Sequence, residues 1–202
     1  MSITKMRTYE VVEKKKRPLV QFGNKKLPTS CAILNMTPAG IDYCPSAKLG
    51  LCQHIDICYA MKAQRSFPKA LPYRLRQEEW WSQTKVNEII TTLLQWKRRT
   101  TTTFRFSEAG DFEAQWSVDK MTQVCQTLTE VGLNCYGYTA RSDLNFTELK
   151  KYAAVNGQEF MVSNKIIVGE PPKEAKYICC GNCRKCEYCK QGNGKTIYIR
   201  RH

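Results

Sequence analysis

The cysteine distribution constrains this chain more than any other feature. Eleven cysteines occur in 202 residues, and seven of them form two groups with close spacing. The first knot consists of Cys44, Cys52 and Cys58. The terminal knot has the spacing Cys-x2-Cys-x2-Cys-x2-Cys and consists of Cys180, Cys183, Cys186 and Cys189. The residues between the terminal thiols are mostly small, polar or charged, so apolar packing does not explain the pattern. We predict that these seven cysteines are metal ligands.

The rest of the sequence favours a metal role over disulfides. Residues 1–26 carry charges throughout, without an apolar stretch of signal-peptide length, and no segment resembles a transmembrane helix. These features predict a cytoplasmic protein with no membrane partner. In a reducing cytosol, clustered thiols bind metal more often than they pair. A chain of 202 residues also buries a core without cross-links.

The charge balance favours polyanionic partners, with nucleic acid first among them. The chain has 32 Lys and Arg against 18 Asp and Glu, a net charge of +14. The basic runs at residues 14–17, 97–99 and 200–201 are scattered rather than arrayed in one stripe, and metal-bound thiolates would cancel part of the charge. A solvated surface therefore explains the excess as well as a nucleic-acid groove does.

Hydrophobic periodicity predicts an α/β fold with a parallel sheet. Strands are expected at residues 31–35, 104–107, 134–139, 160–162 and 196–199. A helical region at residues 72–99 carries one apolar stripe, formed by Val86, Ile89, Ile90, Leu93 and Leu94. A second helix ends near Gly132 and buries Val118, Met121, Val124, Cys125, Leu128 and Val131. A third is expected to begin at a capping box of Asn145 and Glu148 and to carry Phe146, Leu149, Tyr152 and Ala153. Single helices between strands imply parallel βαβ units.

This pattern predicts three parts of the chain. Residues 1–30 form a basic N-terminal segment, residues 31–170 form a βα core with the first knot, and residues 171–202 form a cysteine-rich segment packed on the core. Three further cysteines lie in strands or on an apolar helix face, and we predict them to be core residues: Cys31, Cys125 and Cys135. Cys179 is a spare or alternative ligand.

Ligands of parallel α/β proteins bind at the carboxyl ends of the strands. The first knot follows the first of these strands, and the next two run into residues 107–111 and 139–142, so the three loops should open on one face. We predict Glu108, Asp111 and Arg141 as catalytic candidates, and Glu108 and Gly110 as cofactor contacts. A structural role competes at two of these positions. Asp111 suits a helix cap, and the position of Glu108 fits a structural role as well as a functional one.

The order of motifs resembles the phage gene-product-88 family. The resemblance rests on the first knot with its Cys58-Tyr59-Ala60 sequence, the strand running into Gly110-Asp111-Phe112, Tyr138-Thr139-Ala140-Arg141, and the terminal cysteines. It also implies a distant similarity to radical S-adenosylmethionine proteins, which have a partial (β/α) barrel. In those proteins three cysteines after the first strand hold a cubane, and a loop after the second strand contacts the cofactor. Their usual spacing is Cys-x3-Cys-x2-Cys, and this chain departs from it. A phage origin places the protein in the host cytosol.

The metal itself is open between iron and zinc. Compact Cys-x2-Cys-x2-Cys spacing is typical of ferredoxin-like 4Fe-4S sites, whereas zinc sites separate their ligand pairs more widely. Zinc bound by the first knot and His54 is the alternative. One shared cluster or two separate clusters both fit the sequence.

Two functions follow from these observations. The first is an iron–sulfur protein with a radical-SAM-like partial barrel, either an enzyme of unknown reaction that uses S-adenosylmethionine or a redox protein. Its partners would be an electron donor or a small-molecule ligand. The second is a nucleic-acid-binding protein that zinc or a cluster only stabilises.

Overall fold

The computed structural model describes residues 19–158 and 163–200, which form one mixed α/β fold. The sheet contains β1 Gln21–Phe22, β2 Cys31–Leu34, β3 Thr103–Phe106, β4 Asn134–Thr139, β5 Ala153–Gly157, β6 Asn164–Val168, β7 Tyr177–Ile178 and β8 Thr196–Ile199. The helices are α1 Pro45–Lys48, α2 Tyr59–Ser66, α3 Ala70–Gln83, α4 Val86–Trp96 and α5 Gln115–Glu130. Two short 3-10 helices lie at Leu149–Lys151 and Tyr188–Lys190.

The strand order of the sheet is β1-β2-β3-β4-β5-β6-β8-β7. Strand β1 is antiparallel to β2, and every other neighbouring pair is parallel. The carboxyl ends of β2, β3 and β4 therefore meet at one edge, where Leu34 pairs with Phe106 and Phe106 with Gly137. The predicted α/β class with a mostly parallel sheet is confirmed. The curvature of a partial barrel stays a prediction.

Successive side chains of a strand point to opposite faces of the sheet, and different parts of the chain pack on each face. Phe104 and Phe106 of β3 lie in the main core with Leu93 of α4 and Met121 of α5. On the opposite face, a smaller cluster joins strand residues to the cysteine-rich segment: Cys31, Ile33, Tyr136, Ala154, Leu27, Tyr138, Cys183 and Cys189. Cys183 and Cys189 of the terminal segment pack against this cluster, on the face that carries Arg105.

Most predicted elements are confirmed. Strands form near residues 31–35, 104–107, 134–139 and 196–199, and Ile89 and Leu93 of the apolar stripe are buried. Cys31, Cys125 and Cys135 are core residues with at most 1% exposure. The predicted strand at residues 160–162, the basic run at residues 14–17 and Arg201 lie outside the described residues.

Three predictions about helices are wrong in part. The region 72–99 is two helices, because Thr84 and Lys85 adopt extended backbone angles between them. Val131 lies just past α5 and is 48% exposed, although Gly132 does take a left-handed conformation (φ 83°) there. The capping box forms no α-helix: Asn145 accepts a hydrogen bond from the Thr147 N–H in a local turn, and the chain soon enters β5.

Candidate metal centre

The first knot occupies the loop between β2 and α2. Cys44 and Cys58 each have an extended backbone and immediately precede a helix, and Cys52 lies between those helices. All three thiols are half-buried and free. Burial raises the pKa of Cys44 and Cys52, and the neighbouring thiol adds to the rise, Cys52 for Cys44 and Cys58 for Cys52. The three thiols are therefore close enough to sense one another's charge.

Asp111 links the first knot to the ends of β3 and β4 by hydrogen bonds. Its carboxylate accepts hydrogen bonds from Ser46 Oγ at 2.7 Å, the Ala140 N–H at 2.7 Å and the Phe112 N–H at 2.8 Å. Burial raises the pKa of this carboxyl, and these hydrogen bonds oppose the rise. The three loops therefore meet, as the sequence predicted. The geometry gives Asp111 a structural role, and a catalytic role stays a prediction.

Gly110 and Arg141 also make close contacts with other parts of the chain. Gly110 has φ 70°, and a side chain there would approach the Thr37 carbonyl oxygen to 2.1 Å. Arg141 is 5% exposed, forms a forked ion pair with Asp143 at 2.7 Å, and donates to the Phe112 and Glu113 carbonyls. Gly110 allows a close backbone approach, and Arg141 clamps the β4 loop onto the loop after β3.

Glu108 is more accessible than Asp111. Its side chain is half-buried and accepts a hydrogen bond from the Asn24 amide. The Tyr59 hydroxyl donates to the Glu108 carbonyl oxygen at 2.5 Å. Cys58 packs with Ala109 in a small apolar cluster. Glu108 is thus the candidate acidic residue at the first knot that keeps an exposed portion.

The terminal knot lies on the face of the sheet opposite the main core. Burial raises the pKa of Cys183 and Cys186, and it raises the pKa of Cys189 to about 11. The charge of Cys179 contributes to the raised pKa of all three of these thiols, and the charge of Cys180 contributes to that of Cys183 and Cys186. Cys180 is exposed. The terminal segment therefore groups five thiols, and Cys179 lies as close to the others as Cys180 does.

Two buried asparagines that the sequence reasoning missed anchor the terminal knot. Asn156 of β5 donates to the Gly137 and Cys189 carbonyls, both at 2.9 Å. Asn164 of β6 donates to Asn156 Oδ1 at 2.8 Å and to the Gln191 carbonyl at 2.7 Å. The sequence does carry a signal for these two residues. Each is a polar amide beside apolar strand residues, and a buried amide needs hydrogen-bond partners.

The thiols are free, but within the described residues they are not grouped around one point. None of the eleven cysteines forms a disulfide. Among residues 19–158 and 163–200, no three His, Cys, Asp or Glu side chains are grouped so as to hold a metal ion. The same part of the chain contains no helix with the length and apolar character to cross a membrane.

These features define an α/β protein with a mostly parallel sheet and free thiols grouped in two places. The chain belongs to the gene product 88 family, whose model matches residues 6–156. The matched region includes the first knot and the loops with Glu108, Asp111 and Arg141, and it ends before the terminal knot. No curated protein and no solved structure shows a significant match to the chain. The similarity to radical S-adenosylmethionine proteins stays a prediction.

Proposed function

We propose that this phage-type protein binds iron–sulfur clusters of the 4Fe-4S kind through its two knots, one cluster at each. The observation that carries the proposal is the thiol set itself: unpaired cysteines, half-buried except for the exposed Cys180, whose charges influence one another within each knot. Cluster irons take one thiolate each, so Cys44, Cys52 and Cys58 would leave one iron open, and the terminal knot would supply four ligands.

Iron is favoured over zinc by the geometry that each requires. A tetrahedral zinc ion with Zn–S bonds of about 2.3 Å draws its sulfurs to within about 4 Å of one another, whereas a cluster with four irons holds its thiolates farther apart. The compact Cys-x2-Cys-x2-Cys spacing of the terminal knot suits the larger group. Zinc in the terminal knot remains the alternative.

An open iron in the first knot is compatible with two chemistries. The bound cluster would supply one-electron redox chemistry, and S-adenosylmethionine is the ligand suggested by the radical-SAM-like resemblance. Glu108 would then contact the amino group of the ligand. A partial-barrel sheet would place this ligand at the carboxyl ends of β2 and β3. A protein with the same cluster but no such ligand would serve in electron transfer or redox sensing.

Anaerobic isolation tests the proposal directly. We expect brown protein with about eight irons and a matching amount of acid-labile sulfide per chain, because each cubane holds four irons. Metal and sulfide analysis provide the measurement. After reduction, S-adenosylmethionine is expected to alter the electron paramagnetic resonance spectrum of the first-knot cluster.

The outcomes separate the parts of this proposal. Colourless protein with stoichiometric zinc and no sulfide would reject the iron–sulfur function. An unchanged spectrum together with no S-adenosylmethionine binding by calorimetry would reject only the enzyme form, leaving a redox protein.

The surface of the first knot suits a protein electron donor. Five large apolar side chains are exposed within or near this loop: Ile41, Leu49, Ile57, Tyr59 and Phe67. Apolar exposure concentrated in one segment is typical of interaction sites. An electron donor docking there would approach the first cluster before the terminal one.

A second candidate function, nucleic-acid binding, is favoured by one cleft. The cleft has a volume of about 510 Å³ beside the terminal knot and is lined by three cations and no acidic residue: Lys25, Lys26, Gly181, Asn182 and Arg184. Such a surface attracts phosphate groups. In this reading the metal would only stabilise the fold.

The salt dependence of oligonucleotide binding distinguishes this candidate. Binding at low salt is expected to weaken steeply as salt rises. Changing the three cleft cations to glutamine should reduce the slope of log affinity against log salt by about 3, roughly one for each phosphate contact. The matched control changes Lys97, Arg98 and Arg99 to glutamine, which removes the same charge from another surface. Equal slopes in the two triple variants would show that the cleft is not the binding site.

A further inference from the structure

A cleft on the helical side of the protein lies between α5 and the junction of α3 with α4. It has a volume of about 380 Å³, within the range of small-molecule sites, and none of its described lining residues is a cysteine. Helix α5 contributes Trp116, Asp119, Lys120 and Gln123, and the junction contributes Lys85. The four residues of α5 are spaced i, i+3, i+4 and i+7, so they share one face of the helix. The opposite face of α5 is the one buried in the main core.

Trp116 gives this cleft an accessible aromatic ring. All four tryptophans of the chain lie in the described residues, and Trp116 is the exposed one, at 40% exposure. Trp81 is 2% exposed, and Trp80 and Trp96 pack on the main core. Core packing therefore does not account for the ring at position 116. A single exposed ring is common on protein surfaces, so the neighbouring charges decide what it suits.

The cleft carries more positive than negative charge. Lys120 Nζ lies 5.6 Å from the Trp116 ring centre and 5.1 Å from that of Trp81, and it donates to the Trp81 carbonyl. Within the described residues, no ion pair includes Lys85 or Lys120. The acidic lining residue, Asp119, already accepts a hydrogen bond from an amide of its own helix. Two ammonium groups and one carboxylate leave the cleft with a net charge of +1.

We propose that this cleft binds a nucleotide, with the base stacked on Trp116 and the phosphate group held by Lys85 and Lys120. Stacking on an aromatic ring combined with nearby cations is the general means of binding a nucleotide without a fixed sequence. Asp119 and Gln123 share the helix face and offer an acceptor and an amide to the edge of the base. The excess positive charge disfavours the cationic ligands that aromatic rings otherwise attract.

The nucleotide site is separate from the iron–sulfur function and from the basic cleft beside the terminal knot. The two clefts share no lining residue. A free mononucleotide and one unit of a single-stranded nucleic acid present the same base and phosphate, so the experiment includes both.

Calorimetric titration with adenosine monophosphate and with ribose 5-phosphate tests the role of the ring. The sugar phosphate should bind about tenfold more weakly or worse, because it has no base to stack. Trp116→Ala should weaken binding of the nucleotide by a similar factor, whereas Trp116→Phe keeps a ring and should stay within about threefold of the wild type. Phe67→Ala removes another exposed ring, outside the cleft, and should leave the affinity unchanged. Wild-type affinity in Trp116→Ala, or equal binding of the two ligands, would overturn the site.

The two lysines are tested by the same titration at low and high salt. Lys85→Gln and Lys120→Met should each weaken nucleotide binding about fivefold at low salt and less at high salt, because salt screens the charge. Methionine at position 120 keeps the apolar chain beside the tryptophan rings. Lys69→Gln, at an exposed lysine outside the cleft, is the matched control and should bind as the wild type does. Unchanged binding in both cleft variants would overturn the phosphate contact.

A single-stranded oligothymidylate distinguishes the two sources of the nucleotide. A strand that competes with adenosine monophosphate and binds more weakly to Trp116→Ala would identify single-stranded nucleic acid, and binding of the mononucleotide without such competition would identify a free nucleotide. The variant with glutamine at Lys25, Lys26 and Arg184 should bind adenosine monophosphate as the wild type does. Loss of that binding would place the ligand in the other cleft and overturn the inference. Wild-type protein that binds neither probe would overturn it as well, without affecting the iron–sulfur function.

Discussion

Replacing Cys183 and Cys186 with serine is expected to remove about half of the iron while the sheet stays folded. In a two-cluster protein, each knot would hold four irons, and a cubane that loses two of its four thiolates is not retained. The core does not depend on these thiols, because its main cluster lies on the other face of the sheet. Iron and sulfide per chain, together with far-ultraviolet circular dichroism, provide the measurement.

The complementary variant changes Cys44, Cys52 and Cys58 to serine. It should lose the other half of the iron and any response to S-adenosylmethionine. Cys125→Ala is the matched control, since it removes a buried thiol of α5 that belongs to neither knot, and its iron content should be unchanged. If either knot variant loses all its iron, the two knots share one cluster.

The structure changes what is expected of the terminal segment without metal. Its sequence has few apolar residues, which predicts that only metal and the β8 strand would order it. The backbone N–H of Cys179 nevertheless donates to the Tyr198 carbonyl at 2.8 Å. Asn156 and Asn164 hold the carbonyls of Cys189 and Gln191. These bonds tie both ends of the segment to the sheet, so the metal-free knot should keep its position on the face opposite the main core.

The sequence predicted the elements whose signal is local. The apolar stripe of α4 and the aromatic strand β3 follow from residue spacing alone. A repeat of 3.6 residues in a helix, or of two in a strand, decides which side chains can be buried together. The meeting of the first knot with Asp111 followed from parallel strands ending at one edge. These features needed no knowledge of distant contacts.

The features that escaped the sequence reasoning depend on tertiary partners. The capping box at Asn145 resembles a helix start, but the alternate residues Ala153 and Val155 are buried in the core as part of β5. Asp111 and Arg141 look catalytic by type and position, yet their polar atoms bond to backbone groups and to the side chains of Ser46 and Asp143. The position of Arg105 likewise depends on Tyr59 and Tyr138, which lie far apart in the chain.

Gly137→Ala is expected to destabilise the protein by about 3 kcal/mol, the upper part of the range for overpacked cores. Gly137 of β4 pairs with Phe106 of β3, and a Cβ atom at this position would lie 2.0 Å from the Phe106 ring. That ring is fully buried and packs edge-on against Phe112 at 5.8 Å. Because the ring has no free space, β4 must shift.

For a chain of this length, 3 kcal/mol corresponds to a fall in Tm of about 10 °C, which thermal circular dichroism measures. Gly169→Ala is the matched control, because nothing lies within 4 Å of its added methyl group and its backbone is not left-handed. Its Tm should change by roughly 1 °C, as expected for a surface substitution.

The strand shift would also move Tyr136 and Tyr138, which flank Gly137 and face Arg105. Gly137→Ala should therefore lower both Tm and the iron content of the terminal knot, and equal Tm values for the two alanine variants would show that Phe106 can yield.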